Sequence, residues 1–148
     1  DIAVFNFTVD RAGSHQIMEY RESSYVPWGE SQEEVLEDEE DHYNNGVENL
    51  KQFAKDPAQL AAFQVVYDRV MPNALKRAFG RLEGADNDFC LEHGLKRNTT
   101  EAIVNRYLTE MRSHMDGTGL MFPPMSAFEA IKCELADSTR EILMSLQR

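Results

Sequence analysis

The chain has 148 residues, of which 42% are hydrophobic and 28% charged, and its formal net charge is −11. One ordinary domain fits that length, and the near-average composition excludes a chain that is disordered throughout. The longest uncharged stretches, 57–67 and 117–128, are far shorter than the roughly 20 apolar residues that cross a bilayer, so no membrane span is expected.

Residues 2–9, Ile-Ala-Val-Phe-Asn-Phe-Thr-Val, are rich in β-branched and aromatic side chains. Residues 10–14 read as a turn and 15–20 as a returning strand, so 1–22 is expected to form an N-terminal β-hairpin. Beyond the breakers Pro27 and Gly29, Ser31 and Glu34 stand at capping-box spacing and start a helix. Leu36, Tyr43, Val47 and Leu50 continue it as a narrow stripe at helical period, which Asn44-Asn45-Gly46 interrupts. Asp56-Pro57 is the next start, an N-cap followed by a proline whose missing N–H costs nothing there. Leu60, Phe63, Tyr67 and Val70 form the buried stripe of that helix. Pro72 is expected to end or kink it, with Leu75, Phe79 and Leu82 continuing as a short helix to Gly84.

Residues 86–94 read as a loop or one helical turn. Asn98 and Glu101 have N-cap and N3 spacing ahead of a stripe of Ile103, Val104, Tyr107, Leu108 and Met111. A stiff apolar loop, 117–124, separates this helix from Ser126 and Glu129, another capping-box pair, and from the stripe Phe128, Ile131, Leu135, Ile142 and Leu146. The expected fold is mainly α, a small helical bundle of four to six helices with the hairpin packed on one side. It forms a single domain, 1–148, made of the hairpin (1–22), an acidic helical segment (30–50) and a helical core (56–148).

The negative charge is concentrated in one place. Between Arg21 and Lys51 there is no Lys or Arg, while Glu22, Glu30, Glu33, Glu34, Glu37, Asp38, Glu39, Glu40, Asp41 and Glu48 all fall in that interval. The rest of the chain is nearly neutral. Such a field repels nucleic-acid phosphates and speeds encounter with a basic protein surface. A charge run is often no more than a solvated face, yet surfaces normally intersperse both signs. Glu33, Glu34, Glu37, Asp38, Glu40 and Asp41 are therefore the candidate binding residues, with Trp28 beside them as an interface anchor. Carboxylates standing in for phosphates, as in nucleic-acid mimicry, are a special form of this reading; direct nucleic-acid binding is not expected.

Other motifs are weaker. Cys90-x-x-His93 is half a zinc site that His114 and Cys133 would have to complete, but the second pair lacks the usual knuckle spacing. Cys90 and Cys133 are the only cysteines and allow one disulfide if their Cα atoms lie within about 7 Å. Glu39-x-x-His42 has the spacing of the helical unit used in carboxylate-bridged di-metal bundles. No second unit matches it, and Glu39 lies in a run of acids that must mostly face water. Asp86-Asn87-Asp88 opens like a calcium loop but has Leu91 and Arg97 where Gly and Glu are required. No phosphate-binding loop and no nucleophile with an identifiable base is present.

The leading expectation is a non-enzymatic protein-binding module, an inhibitor, immunity-type or adaptor protein that engages a basic partner through its acidic helical face, with no cofactor or metal. A metal-binding or acid–base enzyme using His42, His93, His114 and the cysteines is the alternative. A structural or assembly subunit processed from a larger polypeptide is a third, which Asp1 in first position permits. The sequons at Asn6 and Asn98 are weak signs of secretion, and with only two cysteines a cytoplasmic location is favoured over a secreted one.

Overall fold

Residues 1–147 are described by the computed structural model, and every regular element among them is a helix. Helix α1 (Ile2–Phe5), a π-helical segment (Asn6–Asp10) and α2 (Arg11–Arg21) run on as one rod, because the junction residues Asn6 and Arg11 keep right-handed helical dihedrals. Then follow α3 (Val26–Phe53), α4 (Pro57–Ala78), α5 (Ala85–Glu92), α6 (Thr100–Met115), α7 (Met125–Ala130) and α8 (Asp137–Leu146). With the rod counted once, there are seven helices among the described residues, not four to six. The helical core expected over 56–148 has its last residue outside the described region.

The expected hairpin is overturned, and its buried residues give the reason. Ala3, Val4, Asn6, Phe7, Thr8, Ala12, Ser14, His15 and Glu19 are buried, and most recur at the three- and four-residue intervals of a helix face. Five of those nine are polar. Reading the apolar residues alone leaves only a β-branched and aromatic run, which mimics a strand.

Helix α3 starts at Val26, ahead of Ser31, with Pro27 in its first turn. Ser31 is no cap; its hydroxyl donates to the carbonyl of Trp28 at 2.8 Å. Nor does Asn44-Asn45-Gly46 interrupt it. At Gly46 an added Cβ would lie 2.5 Å from the backbone N of Phe7, and at Gly29 one would lie 2.6 Å from the carbonyl oxygen of Arg21. The two glycines let α3 lie back along the rod at backbone contact, antiparallel to it. They are slots for a neighbouring helix, and the packing they allow offsets the roughly 1 kcal/mol that glycine costs a helix.

Asp56 caps α4 as expected, its Oδ1 accepting from the N–H of Ala58 at 2.9 Å. Pro72 does not end α4, which runs on to Ala78; Met71, Ala74 and Leu75 around it are buried in the core, and that burial outweighs the hydrogen bond proline forfeits. Thr99, one residue later than expected, caps α6 by accepting from the N–H of Ala102 at 3.2 Å. Ser126 lies inside α7 and caps nothing. The last stripe is split into α7 and α8 by a turn in which Lys132 takes a φ of 54°. Residues 86–94 hold most of α5, a helix of 8 residues and so longer than the loop or single turn expected there.

One core joins the elements. Phe7 of the π-helical segment, Tyr43, Val47 and Leu50 of α3, Phe63, Tyr67 and Met71 of α4, Tyr107, Leu108 and Met111 of α6, and Leu143 of α8 all belong to it. No helix is long and apolar enough to cross a membrane among the described residues.

Candidate functional site

Three polar assemblies surround this core. The first lies part-buried between α2 and α6. Arg11, His15 and Glu19 are spaced by four on α2, and Arg106 and Glu110 by four on α6, so each set shares a helix face. The faces meet antiparallel. Arg11 Nε donates to Glu110 Oε1 at 3.0 Å, and His15 Nε2 lies 2.7 Å from Glu110 Oε2. Arg106 donates from Nε to His15 Nδ1 at 3.2 Å and from a terminal nitrogen to Glu19 Oε1 at 2.8 Å. Glu19 also accepts from the backbone and side-chain amides of Asn98. Because Nδ1 accepts, the proton of a neutral His15 sits on Nε2 and is donated to Glu110.

Burial pushes the His15 imidazole below its usual range, against the pull of Glu110. Burial alone would raise Glu110, but the hydrogen bonds from His15 and Arg11 outweigh it and hold the carboxyl at about 2. Every charge in the ladder is met by a partner, which suits a fixed scaffold between two helices. None of the five stands among the site residues expected from the sequence, although their four-residue spacing is visible in the chain.

The second assembly is the outer face of α3. Glu33, Glu34, Glu37, Asp38, Glu40 and Asp41 are all exposed. From Glu30 to Asp41 no acid forms an ion pair with Lys or Arg among the described residues; Glu48, further along, is paired with Lys51 at 2.7 Å. Trp28 is 47% exposed and Val35 41%. Trp28 rests edge-on against Tyr20 of the rod, ring centres 5.9 Å apart, and with Tyr25, Cys90 and Leu95 it lines an open groove.

Glu39 departs from its neighbours. It turns partly inward toward Asp10, at the end of the π-helical segment, so the expectation that it shares the solvated face is corrected. One ligand atom each from Asp10, Glu39 and His42 lie within 4.8 Å of one another. Asp10 Oδ2 is 3.9 Å from His42 Nδ1, and Glu39 Oε2 is buried without a hydrogen-bond partner.

The other metal candidates are dispersed. No three of Cys90, His93, His114 and Cys133 come within ligand distance of one another among the described residues, and both cysteines are free. His93 stacks on Phe89 with ring centres 4.0 Å apart, and His114 meets the ring of Tyr43 edge-on. Of the sequons, Asn6 is buried inside the rod and the Asn98 amide is held by Glu19. Comparison with family models, curated proteins and solved structures finds no match.

Proposed function

We propose that the protein is a non-catalytic binding module that engages a basic protein surface through the outer face of α3. The observation that carries this reading is the run of acids from Glu30 to Asp41, all exposed except Glu39, with no Lys or Arg paired to them among the described residues. Solubility needs no such one-sided face, since interspersed charge serves it as well. Carboxylates on one rigid helix keep fixed spacing, which favours a partner whose cations are equally fixed. Trp28, half-exposed at the start of α3 and packed against Tyr20, supplies the apolar contact that most interfaces need, because exposed ion pairs alone contribute little affinity.

The test is a capture experiment from the native host, at low salt and again at high salt, with the natural chain and with a variant carrying Glu37→Lys, Asp38→Lys, Glu40→Lys and Asp41→Lys. The expected result is a partner held by the natural chain, released by salt and lost in the variant. Should the variant retain every partner that the natural chain recovers, the acidic face is a solubility surface and the reading is wrong.

A further inference from the structure

We propose that Asp10, Glu39 and His42 form a binding site for a single divalent transition-metal ion of the manganese, iron or zinc class. Glu39 and His42 are three residues apart on α3 and so project from the same face. Asp10 reaches them from the rod. Asp10 lies on the side of the rod that faces α3, 3.9 Å from His42. The π-helical segment that ends at Asp10 closes its hydrogen bonds over one residue more than an α-helix does. Such turns inside α-helices recur at functional sites.

The charges around this cluster are incomplete without a cation. Asp10 has His42 as its ion-pair partner, at 3.9 Å, and no Lys or Arg pairs with Asp10 or Glu39 among the described residues. The Asp10 side chain is only 14% exposed, and Glu39 Oε2 is buried with nothing donating to it. A carboxylate oxygen shut off from water with nothing donating to it is unfavourable unless a cation compensates it. Asn6 adds support: with its amide turned so that the nitrogen faces acceptors, it donates to Asp10 Oδ2 at 3.3 Å, the kind of contact that orients a ligating carboxylate.

The donor set selects the class of ion. Two carboxylate oxygens and one imidazole nitrogen suit Mn²⁺, Fe²⁺ or Zn²⁺, whereas Ca²⁺ takes six or more oxygens and Mg²⁺ prefers an all-oxygen octahedron. Ligand atoms about 2.1 Å from a tetrahedral ion lie roughly 3.4 Å from each other, so Asp10 Oδ2 and His42 Nδ1, 3.9 Å apart, must approach slightly. The His42 side chain is 59% exposed and has the freedom to make that movement. Three protein ligands leave the remaining positions to water.

The proposal is independent of any basic partner, and calorimetric titration of the metal-stripped full chain with Zn²⁺ and, separately, Mn²⁺ tests it. About one ion per chain should bind. Glu39→Gln and His42→Ala should each weaken binding by at least about tenfold; His42 is exposed, so its loss leaves the fold intact. The double variant Glu33→Gln, Glu34→Gln on the outer face should bind as the natural chain does, and excess Mg²⁺ should not displace the ion. With Mn²⁺ bound, paramagnetic broadening of amide resonances should centre on Asp10 and His42. Failure of either metal to saturate at one site, or equal affinity in His42→Ala, would show that the three residues are only a loose ion pair beside an acidic helix.

Discussion

His15 and Glu110, 95 positions apart in sequence, meet at 2.7 Å between α2 and α6, and each titrates below its usual range because of where it sits. For Glu110 the folded carboxyl lies at about 2 against an ordinary 4.5. A depressed acid contributes stability that is complete above the unfolded value and is lost as pH falls toward the folded one. Buried His15, held neutral, acts in the same direction: its protonation opposes folding as pH drops below 6.5. Stability should therefore fall continuously from about pH 6.5 to about pH 2. Glu110→Gln should cost about 2 kcal/mol at pH 7, since it leaves Arg11 part-buried without its carboxylate. Urea unfolding of both proteins at pH 7 and pH 3 checks this. The gap must narrow in acid, and a constant gap would mean that Glu110 acts by shape alone.

The rod and α3 touch at backbone distance only because Gly46 has no side chain. A methyl group there would lie 2.5 Å from Phe7 N and 2.8 Å from its Cα, and backbone atoms cannot swing aside. Gly46→Ala is expected to lower stability by about 2–3 kcal/mol through forced separation of the helices, despite alanine's better helix propensity. Gly13→Ala is the control. Nothing lies within 4 Å of the point a methyl group would occupy there, and the φ of Gly13 is not positive, so the propensity gain of about 0.5–1 kcal/mol should appear undiminished. Thermal unfolding should move in opposite directions for the two variants.

These glycines also show what is legible in the sequence. The α4 start and the α6 stripe can be read because a capping Asp-Pro and five apolar residues at helical period act locally. Gly46 acts through Phe7, 39 positions away, so its sequence neighbourhood reads as a break. The rod resembles a hairpin in sequence because Thr8, His15 and Glu19 occupy its buried face. Thr8 donates to the carbonyl of Val4 within the rod, while the partners of His15 and Glu19, on α6 and just before it, become visible only when the helices are side by side. Glu39 reads as one more solvated acid because its neighbours are acids, although it stands four residues before Tyr43 and seven before Gly46, both buried, and so flanks the inner face of α3.

Helix starts give a sharper check on side-chain roles. Asp56→Ala and Thr99→Ala each remove an acceptor from first-turn N–H groups and should cost about 1 kcal/mol. Ser126→Ala should change stability by less than about 0.5 kcal/mol, because that hydroxyl lies inside α7 and caps nothing. A loss at Ser126 as large as that at Asp56 would place the start of α7 one residue or more later.

If α3 binds a basic partner, its acids and its tryptophan should act on different steps. Exposed charges act over the Debye length, about 8 Å at physiological salt, and so govern encounter. Reversing Glu37, Asp38, Glu40 and Asp41 to Lys should slow association by about ten- to a hundredfold at low ionic strength, with the deficit mostly gone by about 0.5 M salt. Trp28 acts only at contact. It is 47% exposed and braced by Tyr20, a rigid aromatic at the edge of a groove, and such anchors hold a complex after it has formed. Trp28→Ala should therefore leave association within about threefold of the natural rate and accelerate dissociation by at least about tenfold. Surface-bound kinetics measured across a salt series separates the two variants. A Trp28→Ala variant that dissociates at the natural rate would move the contact away from the start of α3 and leave the acids alone as the binding face.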